Sequence, residues 1–225
     1  MSFALDESSP PLIVGVIFSR TDFRRATRMR NPPDLFELRL DALFARRDEV
    51  EAALGDLPAP IIITARHPRE GGSHHLSARQ RRALLLRFLP YGAYVDVELR
   101  SAGTFAAILA EARAQSVRAI VSFHDFRETP SCPRLHEIVR AARSLGADVM
   151  KIATRADTAA QLARLLDFFR RERSGMKIAA MGVGRLGRIS RCEFARQGSA
   201  LNYGHLGRPQ AEGQLSITQL RRILH

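Results

Sequence analysis

Along this chain, short apolar runs alternate with longer stretches in which apolar residues recur with helical period. The short runs fall at 12–18, 35–40, 60–66, 94–99, 118–123, 148–153, 176–181 and 200–203. Most are nearly continuous in Val, Ile, Leu and Ala, the pattern of parallel strands covered on both faces. Helices are predicted between them at 77–88, with Ser77 as N-cap, and at 104–115, 135–145, 158–173 and 217–224, with Gly146 as a stop signal after the third. Eight strands separated by helices predict a (β/α)₈ TIM barrel, with residues 1–225 forming one catalytic domain. A doubly wound open sheet is the alternative. It calls for a Gly-rich phosphate loop after an early strand, and none follows Ile17.

The polar residues inside or just beyond these apolar runs carry the chemistry. They are Glu37, Arg39 and Asp41; Arg66 and Glu70; Asp96 and Glu98; His124 and Asp125; Lys151; and Arg191. In a barrel the C-terminal strand ends converge on one mouth, so these side chains are expected to share it. Residues two apart in a strand face the same way, so Glu37, Arg39 and Asp41 form a row, which implies either an ion-pair lattice or a ligand. Lys151 is flanked by Met150 and Ile152. Desolvation there is expected to lower its pKa and free a neutral amine to attack a carbonyl. An imidazole ordinarily titrates near neutrality, so His124 is suited to moving protons. Arg66 and Arg191 offer guanidinium groups to a carboxylate, so an anionic substrate is expected. The segment 204–214, rich in Gly and polar residues, is a candidate lid.

Composition narrows the field. Only Lys151 and Lys177 are lysines among 35 basic residues, so 33 are arginines, and the formal net charge is +12. Arginine use of this kind reflects a GC-rich coding sequence. The arginines are spread over many predicted helix faces rather than gathered in a tail, which favours a solvated basic surface over nucleic-acid binding. No apolar run approaches the roughly 20 residues of a membrane span. Residues 1–11 lack a signal-peptide pattern, and Cys132 and Cys192 form no disulfide framework, so a cytoplasmic setting is expected. His67, His74 and His75 do not have metal-site spacing.

Taken in order, these motifs resemble type I 3-dehydroquinate dehydratase, a Schiff-base lyase (hydro-lyase) of the shikimate pathway. The resemblance rests on Phe36-Glu-Leu-Arg-Leu-Asp41, Thr64-Ala-Arg-His-Pro-Arg-Glu-Gly-Gly72, Tyr94-Val-Asp-Val-Glu98, Ser122-Phe-His-Asp-Phe126 and Asp148-Val-Met-Lys-Ile-Ala153. Met181-Gly182, the segment from Gly187 to Arg191, Gly198-Ser-Ala200 and Gly213-Gln214 follow in the family's order. It implies dehydration of 3-dehydroquinate in aromatic amino acid biosynthesis. Lys151 forms the imine, His124 acts as general acid and base, and Glu70 pairs with His124. Arg191 would hold the carboxylate, while Glu37, Arg39, Arg66, Gln210 and Gln214 contact the rest of the substrate. The resemblance implies no metal or organic cofactor, and a homodimer. One departure stands out: the family's lid reads Ser-Ala-Pro-Gly-Gln, whereas this chain has Gln210-Ala-Glu-Gly-Gln214, so Gln210 replaces the serine and Glu212 the proline. A Schiff-base aldolase on the same barrel and a non-catalytic anion-binding protein are the competing readings.

Overall fold

The structure, a computed structural model, describes residues 10–224. The expectation for residues 1–11 therefore lies almost wholly outside the described residues. Eight parallel strands run β1 (Leu12–Ile17), β2 (Leu35–Arg39), β3 (Ile61–Thr64), β4 (Gly92–Glu98), β5 (Arg118–Asp125), β6 (Val149–Arg155), β7 (Ile178–Val183) and β8 (Leu201–His205). The helices are α1 (Arg20–Ala26), α2 (Arg47–Ala52), α3 (Ala78–Phe88), α4 (Ala106–Ala114), α5 (Cys132–Ser144), α6 (Ala159–Glu172), α7 (Gly187–Arg196) and α8 (Ile217–Leu224). The sheet order β7-β6-β5-β4-β3-β2-β1-β8 curls into the expected (β/α)₈ barrel.

Every predicted strand is present, displaced by at most two residues at most ends. The helices predicted from 77, 104, 135, 158 and 217 are also present. Ser77 and Thr158 each complete a capping box, with Gln80 and Gln161 as partners, and Gly146 takes φ +71° just beyond α5, where only glycine turns without strain. Three helices had no predicted counterpart. α1 and α2 are seven and six residues long and dominated by charged residues, and α7 opens on Gly187 and carries Arg188, Arg191 and Arg196, so their apolar stripes are too short to read.

Alternation along the strands sorts the core into two shells. Val14, Val16, Leu35, Ile62, Tyr94, Ile120, Val149, Ala179, Leu201 and Tyr203 pack together inside the barrel. Their neighbours one residue away, such as Phe36, Ile61, Val95, Val121, Met150 and Ile152, pack outward against the helices. Toward the C-terminal ends the inward positions become polar: Glu37 follows Leu35, Asp96 follows Tyr94, Ser122 follows Ile120, and Lys151 follows Val149.

Seven of the eight junctions are backbone ladders; the β7–β8 junction is not. One backbone bond crosses there at the N-terminal ends of the two strands, from Ala200 N to Ile178 O at 2.9 Å. Side chains satisfy much of the rest. Ser199 Oγ accepts from Ala180 N at 3.2 Å, and Ser190 Oγ accepts from Gly182 N at 2.9 Å. A guanidinium nitrogen of Arg191 donates to Tyr203 O at 3.4 Å.

Ser190 is fully buried, and its hydroxyl also donates to Gly187 O at 2.7 Å. Ser190→Ala leaves Gly182 N–H buried without an acceptor and should lower stability by about 1–3 kcal/mol. Urea denaturation should show a lower midpoint at unchanged slope; an unchanged midpoint would mean the seam does not depend on this hydroxyl.

Candidate active site

The polar C-terminal half of the barrel opens into a cavity of about 400 Å³. Its lining includes Glu37, Arg39, Arg66, Glu70, His124, Lys151, Arg191, Gln210 and Gln214, so every residue expected to act in catalysis or substrate binding contributes to one space, whereas Asp41, Asp96, Glu98 and Asp125, also expected at the mouth, do not line it.

Lys151 lies at the centre of the buried charges, 4% exposed. Its Nζ donates to Glu37 Oε1 at 2.8 Å and to Asp96 Oδ2 at 3.1 Å, and sits 3.9 Å from the centroid of the Tyr203 ring. The apolar surroundings expected from Met150 and Ile152 are not what the amine meets. Those two neighbours point out toward the helices, because side chains alternate along a strand. The amine instead faces carboxylates and an aromatic face.

The same two carboxylates are shared with Arg66. Its guanidinium bonds both oxygens of Asp96, at 3.0 and 2.6 Å, and lies 3.7 Å from Glu37 Oε1. It also reaches Ser122 Oγ at 2.6 Å and Glu98 Oε1 at 3.3 Å. Behind it, Arg81 of α3 donates to Glu98 Oε2 at 3.2 Å. The buried charges thus alternate from Arg81 through Glu98, Arg66 and Asp96 to Lys151. Burial alone would raise the Asp96 carboxyl; Arg66 and Lys151 outweigh it and hold the group well below the usual carboxylate range. Arg66 lines the cavity as expected, although protein acceptors already occupy most of its donors.

The expected row of Glu37, Arg39 and Asp41 divides in two. Glu37 turns inward to Lys151 and accepts from Thr64 Oγ1 at 3.1 Å. Asp41, in the turn after β2, forms a two-point pair with Arg39 at 2.9 and 2.8 Å. It also accepts from the backbone of Arg66 and Ser73, which fixes the loop that carries Glu70.

His124 Nδ1 lies 2.8 Å from Glu70 Oε2, and the same oxygen accepts from the His124 backbone N at 3.1 Å. Burial, with the charges of Arg66 and Lys151, holds the imidazole well below its ordinary pKa. Burial also pushes the Glu70 carboxyl up to about 7, although Arg66 acts to lower it. A neutral imidazole whose Nδ1 is engaged by Glu70 retains Nε2 as a free base.

Arg191 corrects an expectation about placement. It lies in the second turn of α7, not at a strand end, and reaches the cavity across the β7–β8 seam. It is 7% exposed, and among the described residues it has no carboxylate within salt-bridge distance; its nearest acceptors there are Tyr203 O and, at 3.6 Å, Met181 Sδ, while its Nε has none. Burial alone draws its pKa down to about 10. A buried guanidinium without a counter-charge is a costly arrangement that an anion entering the cavity would relieve.

The lid segment follows β8. Gln214 Oε1 accepts from Gln210 N at 2.7 Å, and Gln210 Nε2 donates to Arg208 O, so the two side chains brace the loop that they line. Sequence reasoning did not single out Tyr203, Arg81 or Arg155 for the site. Tyr203 was legible as an aromatic on the inward face of β8; Arg81 and Arg155 were indistinguishable among so many arginines. His67 Nδ1 accepts from Arg69 N, and among the described residues no group of three or more His, Cys, Asp and Glu is disposed to hold a metal ion. No helix of the described residues is long and apolar enough to cross a membrane.

Comparison with known proteins agrees with this geometry. The family described as type I 3-dehydroquinase matches residues 19–225. The 3-dehydroquinate dehydratase of Thermococcus onnurineus is 34% identical over 95% of this chain and 97% of its own. A 3-dehydroquinate dehydratase structure from Geobacillus kaustophilus superposes with a TM-score of 0.84 at 27% identity, covering 96% of this chain and 90% of that one. A Clostridium difficile type I enzyme, 24% identical, shares the fold with a TM-score of 0.85 over 97% of this chain and 92% of its own.

The raised Glu70 pKa gives a pH-dependent prediction that needs no ligand. A carboxyl moved from 4.5 up to about 7 contributes stability below pH 4.5 that is lost as pH rises through 7. Glu70→Gln keeps the acceptor and removes the titration. Between pH 4.5 and pH 7–8 its stability should therefore improve relative to the parent by roughly 2–3 kcal/mol and then level off. Paired denaturation curves across that range check this, and a pH-independent difference would refute it.

Proposed function

Because this chain belongs to the type I 3-dehydroquinase family and is a hydro-lyase acting on 3-dehydroquinate, we propose that it works through an imine on Lys151, with His124 as general acid and base. The observation that carries this reading is the shared cavity: a buried primary amine, an imidazole braced by a carboxylate, and a buried guanidinium with no counter-ion among the described residues line one space.

The substrate carboxylate pairs with Arg191 and directs the ketone toward the lysine. Lys151 adds to the carbonyl carbon, and the carbonyl oxygen leaves as water to give a protonated imine. Glu37, 2.8 Å away, is the nearest carboxylate to the amine as it sheds a proton. His124 Nε2 then takes the proton from the carbon next to the imine, and the electron pair left behind is stabilised by the iminium nitrogen. The same imidazole returns a proton to the departing β-hydroxyl, which leaves as water. Water adds to the conjugated imine, releases 3-dehydroshikimate and restores the amine. Glu70 fixes the imidazole, Arg66 fixes Asp96 and Glu37, and Arg39, Gln210 and Gln214 enclose the hydroxyl-bearing side of the ring. This sequence serves the shikimate route to aromatic amino acids.

Borohydride reduction in the presence of 3-dehydroquinate should leave a stable adduct on the peptide containing Lys151, and Lys151→Ala should abolish both adduct and turnover. His124→Ala should lower kcat by about 10²–10⁴-fold. Parental turnover in Lys151→Ala, or an adduct confined to Lys177, would rule the mechanism out.

A further inference from the structure

β6 runs on from Lys151 to Arg155, which places a second cation of that strand on the cavity rim. Arg155 Nε donates to Asp157 Oδ2 at 2.6 Å. Its Nη2 lies 3.6 Å from Glu212 Oε2, in the segment that follows β8. Asp157 in turn accepts from the backbone N of Arg185, after β7, at 2.8 Å. Three loops from three successive strands are therefore joined through one guanidinium and its Asp157 partner.

The backbone is shaped to this junction. Gly184 sits at φ +110°, and a Cβ there would collide with Asp157 Oδ1 and stand 2.9 Å from Arg155 Nε. Gly213, at φ +81°, is pressed onto the start of α7; a Cβ on it would lie 2.6 Å from Arg188 N. A Cβ on Gly187 would lie 2.9 Å from Glu212 O. Side-chain-free contacts on both sides of Glu212 thus seat the segment against α7, with Gln210, Ala211 and Gln214 on the cavity wall.

At the position of Glu212 the motif this chain resembles carries proline, whose ring restricts the backbone without any partner. We propose that Arg155 and Glu212 form a pair of positioning residues that hold the segment 206–216 over the cavity, an ion pair doing by charge what the ring does by covalent restriction. The inference rests on the dehydratase reading for its kinetic consequences. The pair adds little to global stability, because both side chains are partly solvated at 30% and 55% exposure. Its effect falls on the fraction of molecules in which the segment is seated, and added salt weakens it. Two other assignments fit the same residues: Glu212 repelling an anionic substrate, or Arg155 binding that substrate directly.

The test compares Arg155→Gln, Glu212→Gln, their double variant, Glu212→Pro, and Arg155→Gln combined with Glu212→Pro. Arg155→Gln and Glu212→Gln should each raise KM for 3-dehydroquinate by about two- to five-fold with kcat nearly unchanged, and the double variant should match either single one. Glu212→Pro should keep the parental KM, flatten its excess rise with salt, and make Arg155→Gln silent. A lower KM in Glu212→Gln would assign repulsion instead, and a raised KM for Arg155→Gln in the proline background would assign direct substrate contact; either result overturns the pair. Amide hydrogen exchange in peptides spanning 206–216, measured without ligand, supplies the second readout. It should quicken by the same two- to five-fold in both Gln variants and not in Glu212→Pro. Should the parent fail to turn over 3-dehydroquinate, the dehydratase reading falls, while the exchange rates still decide the ion pair.

Discussion

The two-point grip of Arg66 on Asp96 is the constraint on which the rest of the site depends. Three carboxylates, two guanidiniums and an amine lie inside a barrel whose lower half is hydrocarbon, and such charges persist only if each is matched. Arg66 matches most of them at once. It takes both oxygens of Asp96, stands near Glu37, and shares Glu98 with Arg81. Lys151 is left with one oxygen of Asp96 and one of Glu37, in competition with a stronger partner. The amine is thereby held in place without sole claim on any counter-ion.

Arg191 stands in contrast. Where Arg66 is saturated, Arg191 has a backbone carbonyl, a thioether and an unbonded Nε. The cavity therefore has one wall in which charge is balanced internally and one in which it is not. In the proposed mechanism the balanced wall positions the amine of Lys151, and the unbalanced wall, at Arg191, is the one to which a carboxylate would be drawn. The His124–Glu70 pair lies between them, kept from double ionisation by burial.

Much of this was legible in the sequence because strand periodicity is strict. Apolar runs located all eight strands, polar residues interrupting their C-terminal halves pointed to Glu37, His124 and Lys151, and the family resemblance added the role of Glu70, which lies beyond β3. What periodicity could not supply was depth. Met150 and Ile152 flank Lys151 in sequence but face the helices, so adjacency in the chain misrepresented the surroundings of Nζ. Arg191 was credited to a strand end because α7 begins on glycine and is studded with arginine, which conceals its helical stripe. Arg81 was hidden for a similar reason: its partner Glu98 lies 17 positions away, across the fold, and among so many arginines only three-dimensional proximity distinguishes a buried one.

The β7–β8 junction has a wider consequence. Seven joins of the cylinder are backbone and indifferent to side-chain identity, but the eighth is fastened by Ser199 and the guanidinium of Arg191, while Ser190 caps the unpaired edge of β7. In the proposed mechanism the guanidinium that clasps the cylinder also receives the substrate carboxylate, which would tie structural integrity to occupancy. On that reading an occupied chamber would brace the one join that lacks a ladder, and substitutions at Ser199 and Arg191 would be felt in ligand affinity as well as in folding.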